Sequence, residues 1–206
     1  NDKHPKASVC TDSNHCMAYN KENIEEKYRQ KLQDAVTETK GEVIMYEDDY
    51  ASTVFHAISS GKTESSKDVW GGDVPYLTNV ESEEDKNVSG YKTTVFVSYG
   101  DFINNINGKD YEKVIGEIER TNAGSVKRIV LCGKEFTGAK IRELFGLRSA
   151  NFEIEEKDEG YEFTVLGYGH GVGMSQYGAN NFAKKGYTYK EILSHYYPST
   201  KLKRTD

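Results

Sequence analysis

The sequence predicts an α+β fold, in which mixed antiparallel β-hairpins pack with several helices, and two observations predict it. In several capped segments apolar residues recur at helical spacing; elsewhere they alternate with polar residues around turn-forming clusters. At 206 residues the chain is long enough to bury a hydrophobic core without disulfides. One main domain is expected over 41–206, preceded by an N-terminal segment, 1–40, that is a candidate metal-binding lobe.

From Asn20 onward, Ile24, Tyr28, Leu32, Ala35 and Val36 mark an amphipathic helix, with Gly41 just past its end. Glu42 to Tyr46 and Ala51 to Ala57 read as a hairpin around the acidic turn Glu47-Asp48-Asp49. Ser59 to Leu77 is too rich in Gly, Ser and Pro for regular structure, and the polar, acidic stretch Glu81 to Tyr91 reads as a surface excursion. Thr93 to Val97 reads as a strand. Val114, Ile115 and Ile118 share one face of a predicted helix over Tyr111 to Arg120. Ile129 to Cys132 is a short buried strand, with Cys132 a small core residue. Thr137 caps a helix over Thr137 to Phe145. Phe152/Ile154 and Tyr161/Phe163/Val165 alternate around Asp158-Glu159-Gly160, a second hairpin. Thr188 and Glu191 have capping-box spacing ahead of Ile192, Leu193 and Tyr196, a closing helix.

Hydrophobic residues make up 36% and charged residues 29%, the balance of a soluble globular protein. No apolar run reaches the length of a bilayer span. The formal net charge of -6, with acids and bases interspersed, offers no broad attraction to phosphate backbones, so nucleic acid is not an expected partner. The chain opens on Asn1 with no secretory signal or stop-transfer segment, so the natural start is expected upstream.

His4, Cys10, His15 and Cys16 supply two imidazoles and two thiolates, the donor set of a closed tetrahedral zinc site. Such a metal would be structural, since protein fills all four positions. The spacing is irregular, and a Cys10-Cys16 disulfide or two unpaired thiols are the competing readings. Zinc-dependent hydrolysis at this cluster is the weakest reading, because no open ligand position or nearby base is evident.

The most informative stretch is Gly167-Tyr168-Gly169-His170-Gly171-Val172-Gly173-Met174-Ser175-Gln176-Tyr177-Gly178, where glycine alternates with other residues before the chain enters a helix. It lacks the Gly-Lys-Ser/Thr of a phosphate loop and the βαβ setting of a dinucleotide loop. Two readings stay open: a tight turn packed on a neighbouring element, or a bare backbone wall facing a ligand trough.

The run GYGHGVGMSQYGA resembles the signature of the stage II sporulation protein D (SpoIID) family. Phe55-His56-Ala57 with Ser59, Ser60, Gly61, Lys62 and Thr63, then Val69-Trp70-Gly71, Pro75-Tyr76-Leu77, and Ile192-Leu193 with Tyr196-Tyr197-Pro198 agree in order. The resemblance spans about residues 40 to 200, and leaves the Cys/His segment outside the family core. It implies a peptidoglycan lytic transglycosylase that cleaves between N-acetylmuramic acid and N-acetylglucosamine, the muramoyl 6-hydroxyl closing a 1,6-anhydro ring. One carboxylic acid then serves first as acid and next as base. The resemblance puts that glutamate in a segment ahead of Asn1, so the catalytic acid is assigned to no residue here and the chain alone is expected to be inactive. It further implies an extracytoplasmic, membrane-anchored protein at the forespore and mother-cell interface during engulfment. Its partners would be peptidoglycan glycan strands, a second cell-wall hydrolase and a membrane protein.

Candidate sugar-binding residues are Ser59, Ser60, Gly61, Thr63, Glu64, Trp70, Tyr76, His170, Gly171, Gln176 and Tyr177, which offer hydroxyls, an amide, an imidazole and flat aromatic faces. His170, flanked by glycines, is expected to face the groove; His56, alternating with Phe55 and Ala57, is expected in the core. Glu64, Asp68 and Asp73 lie beside Trp70 and Tyr76, and are read as solvated loop carboxylates rather than a raised-pKa acid. The rival to an enzyme is a non-catalytic peptidoglycan-binding module or an amidase enhancer.

Overall fold

The computed structural model of the chain describes residues 24–109 and 114–205. The proposed zinc ligands His4, Cys10, His15 and Cys16 therefore lie outside the described residues, as do the first residues of the helix read from Asn20. The chain divides into two compact units, Asn1–Val43 with Arg204–Asp206, and Ile44–Lys203.

In the first unit the expected amphipathic helix is α1, Glu26–Glu38. Gly41 follows at φ +77°, and its carbonyl accepts from the Thr205 backbone N–H at 2.7 Å. The apolar stripe of α1 is exposed at Tyr28, Leu32 and Val36.

In the second unit, Met45 and Tyr46 of β1 (Glu42–Tyr46) pair antiparallel with Tyr50 and Asp49 of β2 (Asp49–Tyr50). The hairpin is present, but its second strand stops at Tyr50 instead of running to Ala57. Phe55 and His56 form a separate strand, β3, which pairs in parallel with Met174 and Ser175 beyond the glycine loop. The stretch expected to be irregular contains a short helix, α2 (Ser66–Trp70). Ser65 caps it by accepting from the Asp68 N–H, and Gly71 closes it in the left-handed conformation. A 3-10 turn follows at Glu83–Asn87. It is not wholly a surface excursion: Ser82 and Asp85 are buried, and the Asp85 carboxylate accepts from the Ser59 backbone N–H at 2.8 Å.

β4 (Lys92–Ser98) runs on into α3 (Tyr99–Asn105), a helix that sequence periodicity misses because its seven residues show too few repeats. Ile115–Arg120 form strand β5 rather than the expected helix. The cause is legible in the pairing: Ile115 faces Leu131 while Ile118 faces Ile129, so a β-bulge between them resets the alternation. Two apolar residues three apart then reach one core from a strand as they would from a helix. β6 (Val126–Leu131) continues through a turn at the buried Cys132, φ +47°, into β7 (Lys134–Thr137), which was also unforeseen.

Most of the remaining elements match expectation, the strands Met174–Ser175 and Lys201–Arg204 excepted. Thr137 caps α4 (Gly138–Leu144) by accepting from Lys140 N–H at 3.1 Å. β8 (Phe152–Lys157) and β9 (Gly160–Leu166) form the second hairpin, and β9 is central in the order β4-β9-β8. After β10 (Met174–Ser175) come α5 (Gln176–Lys184) and α6 (Tyr189–Tyr196), the latter with both halves of its capping box formed. β11 (Lys201–Arg204) completes a sheet in the order β11-β1-β2. No helix of the described residues is long and apolar enough to cross a membrane.

The inward face of β9, Tyr161, Phe163 and Val165, is buried against Phe102, Ile129, Leu131, Ile141 and Phe152. Each such side chain contributes about 1.5–3 kcal/mol relative to exposure, so this face anchors the larger core. A second core gathers Tyr76, Leu77, Val172, Ile192, Tyr196 and Tyr197. The glycine loop joins the two, since it leaves β9 from the first core and delivers Val172 to the second.

Candidate functional site

Gly167, Gly169, Gly171 and Gly173 all have positive φ, between +73° and +115°. Their bareness serves the chain itself. A Cβ on Gly173 would stand 2.0 Å from the Val54 carbonyl oxygen, and one on Gly171 would stand 2.9 Å from Glu64 Cγ. These glycines let the loop lie directly on residues 54–64, so the tight-packing reading holds for their backbone. Of the two open readings, tight packing accounts for Gly167, Gly171 and Gly173, while Gly169 packs on His56 and also lines a cavity. What faces outward is carried mainly by the side chains between the glycines.

His170 is one of these. With Gly169, Trp70, Thr121, Ser125 and Arg142 it lines a cavity of about 250 Å³. The Trp70 ring, half exposed, lies 5.1 Å from the His170 ring centroid to centroid. His170 Nδ1 accepts from the Val172 backbone N–H at 3.1 Å, which leaves the proton of the neutral ring on Nε2. Burial lowers its pKa, a hydrogen bond to the Phe55 backbone opposes this, and the Arg142 charge lowers it further. At neutral pH the cavity therefore offers a neutral imidazole and an indole face, suited to a polar ring system, with Asp68, Lys127 and Arg142 as its charged lining.

His56 stands behind His170, with ring centroids 5.8 Å apart. It is buried in the core as expected, and its Nδ1 donates to the Val172 carbonyl at 3.1 Å. Burial is the main cause that pushes its pKa down to about 4. The pair of histidines thus holds the middle of the glycine loop without carrying charge.

Glu64 is the largest departure from expectation at the site. It is not a solvated loop carboxylate but 2% exposed. Oε1 accepts from the Thr121 hydroxyl at 2.9 Å and from the Ser125 N–H at 3.3 Å; Oε2 is buried without a partner. Its own N–H donates to the Gly171 carbonyl at 2.8 Å. Burial raises its pKa, and the hydrogen bonds from Ser125 and Thr121 only partly offset that. Glu64 accordingly clamps the β5–β6 turn and the glycine loop together, directly behind Thr121 and Ser125. Asp73 remains a solvent-exposed carboxylate, and Asp68 stands at the cavity 3.8 Å from Lys127.

The other sequence candidates divide into surface and scaffold. Gln176 and Tyr177 are exposed at the start of α5, and Tyr177 lines a second, polar cavity with Asn87, Asn180 and Asn181. Ser59, Gly61, Thr63 and Tyr76 are buried and satisfied within the chain. The Ser59 hydroxyl accepts from Gly61 N–H, the Thr63 hydroxyl donates to the Thr78 carbonyl, and Tyr76 Oη accepts from Ser52 N–H. Ser60, partly buried, donates to the Ala123 carbonyl at 3.2 Å. Gly171 lies between the two groups, partly exposed. Thr121, Ser125 and Arg142 were not foreseen; they are 50 or more positions from Trp70, and no local pattern marks them.

Among the described residues no cluster of His, Cys, Asp or Glu is arranged to hold a metal ion. Residues 1–46 match the family model described as SpoIID, Stage II sporulation protein. The Cys/His segment falls within the residues that the family model matches. Stage II sporulation protein D of Bacillus subtilis is 37% identical over 178 residues, which cover 85% of this chain and 52% of that protein. Its counterpart in Bacillus amyloliquefaciens is 36% identical over 181 residues, 85% of this chain and 52% of that protein. The amidase enhancer of Bacillus subtilis is 25% identical over 225 residues, 82% of this chain and 32% of that protein. The chain thus spans about half the length of the stage II sporulation relatives it matches. With the signature loop, the family-model match and this identity in hand, the chain belongs to the stage II sporulation protein D family.

Proposed function

We propose that this chain is the glycan-holding part of a peptidoglycan lytic transglycosylase that acts in sporulation, and that the Trp70–His170 cavity seats a sugar of the strand. The observation that carries this reading is the pairing of an exposed indole face with a neutral, backbone-fixed imidazole beside the Thr121 and Ser125 side chains. An amino sugar presents an apolar ring face together with hydroxyl and amide groups, and that surface complements both features. In the proposed reaction a single carboxylic acid protonates the glycosidic oxygen and, as carboxylate, takes the proton of the muramoyl 6-hydroxyl as the anhydro ring closes.

Glu64 is not proposed as that acid. A general acid must come within hydrogen-bond reach of the leaving oxygen, and both Glu64 oxygens are turned into the protein. We assign it as a positioning residue, and the acid itself to the region N-terminal to Asn1, as the family resemblance implies. The test is incubation of the longer protein with peptide-free glycan strands and mass spectrometry of the products. Anhydromuramoyl ends are expected. Strand binding without such products would favour the second reading, a binding or enhancing module, for which the 25% identity to an amidase enhancer speaks.

We further propose that His4, Cys10, His15 and Cys16 hold a structural zinc ion, because two thiolates and two imidazoles complete a tetrahedral shell with no open position. Metal analysis of protein purified without added zinc should give about one equivalent. An intact Cys10-Cys16 disulfide in metal-free protein would remove this assignment.

A further inference from the structure

Arg142 and Arg148 are two unpaired arginines that line one cavity. Arg29, Arg120 and Arg128 each pair with a glutamate, whereas neither Arg142 nor Arg148 has a carboxylate partner among the described residues. Arg204 likewise has no carboxylate partner among the described residues, but it is bonded to the Glu38 and Lys40 carbonyls and does not line that cavity. The two guanidinium groups line one open cavity of about 450 Å³ with Tyr168, Gly146 and Leu147. Glu143 also borders it, but is held by Lys140 at 3.0 Å. Arg142 additionally lines the Trp70–His170 cavity, so the two hollows share a wall.

Both groups are fixed in place by backbone. Arg142 Nε donates to the Leu147 carbonyl at 3.3 Å, and Arg148 Nη1 donates to the Gly90 carbonyl at 3.1 Å. The Arg148 guanidinium also lies over the Tyr168 ring, 4.2 Å from its centroid. Each keeps further N–H donors free in a rigid fork, the geometry that matches a carboxylate. Arg142 is half-buried and partly desolvated, which strengthens its attraction for an anion relative to a fully hydrated arginine.

We propose that Arg142 and Arg148 form an anion subsite that takes a carboxylate carried by the sugar strand, the lactyl carboxylate of a muramoyl residue next to the one in the Trp70–His170 cavity. This rests on the glycan reading above and extends it by naming the group recognised. A neutral sugar would leave the two charges unmatched, so the subsite would distinguish muramoyl-containing strands from uncharged amino-sugar polymers.

The test measures binding of the 206-residue chain to four ligands by calorimetry. These are a peptide-free muramoyl tetrasaccharide, the same compound with its lactyl carboxylates amidated, an N-acetylglucosamine tetramer, and a peptide-bearing muramoyl tetrasaccharide. The free acid should bind about tenfold tighter than its amide, a difference of ~1.4 kcal/mol, and the ratio should shrink as salt is raised. Arg148→Gln should bring the ratio close to one, while Arg148→Lys, which keeps the charge, should retain part of it. Melting curves of both variants report whether they fold. Equal binding of acid and amide, with the neutral tetramer still bound, would overturn the subsite and leave the glycan reading standing. So would an unchanged ratio in Arg148→Gln. If the peptide-bearing ligand is preferred and Arg148→Gln abolishes that preference, the lactyl assignment falls in favour of a peptide carboxylate. No binding of any of the four overturns both readings.

Discussion

Replacing Gly173 by alanine tests the account of the glycine loop most directly. Gly173 sits at φ +73°, where an L-residue incurs about 1–2 kcal/mol. Its new Cβ would stand 2.0 Å from the carbonyl oxygen of Val54, a backbone atom fixed beside the β3–β10 pairing. Overpacking against such an unyielding neighbour adds about 1–3 kcal/mol. The sum is ~2–5 kcal/mol, which in a domain of this size lowers the melting temperature by about 4–20 °C. Two other glycines separate the contributions. Gly71 has φ +78° with nothing within 4 Å of an added Cβ, so Gly71→Ala should show the backbone part alone, ~1–2 kcal/mol. Gly72 has open space and no positive φ, and Gly72→Ala should stay within about 0.5 kcal/mol of the parent. Thermal unfolding followed by near-UV circular dichroism reads all three. Were Gly173→Ala to lose no more stability than Gly71→Ala, close approach to residues 54–64 could not be the reason for the alternating glycines.

Three other perturbations have defined outcomes. The raised Glu64 pKa means the folded state holds that proton more tightly than the unfolded state, so stability from this group is greatest below its ordinary value near 4.5 and declines as pH rises through the folded value. Glu64→Gln, which mimics the protonated acid, should match the parent in acid and exceed it at neutral pH; parallel stability curves for the two proteins across that range would contradict the assignment. Trp70→Ala should weaken binding to peptide-free glycan strands by ten- to thirtyfold, or about 1.4–2 kcal/mol, with little effect on melting because the ring is half exposed; undiminished binding would move the sugar site elsewhere. Thr188→Ala removes the hydroxyl that accepts from Glu191 N–H, one half of the α6 capping box, and should lower stability by ~1 kcal/mol in chemical denaturation, and a change below about 0.3 kcal/mol would indicate that the α6 start is held by packing instead.

Where the chain's own chemistry acts over a few residues, the sequence was sufficient. The Thr137 cap, the Thr188–Glu191 capping box and the β8–β9 hairpin follow from neighbours within a turn or two, and all three are present. The same holds for family membership, carried by one continuous glycine-rich run, and for the burial of His56 between apolar neighbours. Local pattern failed where partners from afar reset it. A bulge opposite β6 turned the apparent helical spacing of Ile115 and Ile118 into a strand, and β3 found its partner in β10, more than a hundred residues on.

The site divides along the same line. The residue types suited to a sugar, Trp70 and His170 among them, were visible in the sequence, because an indole or a glycine-flanked imidazole carries its chemistry wherever it lies. Their surroundings were not. Only the folded chain sets Thr121 and Ser125 against Glu64, buries that carboxylate beside the glycine loop, and brings Arg142 to the wall shared by two cavities. The physical reason is that burial and electrostatic environment are properties of packing between distant segments. Sequence determines which groups are present and their short-range geometry; tertiary contact determines which of them keep their solvent, their charge and an open face.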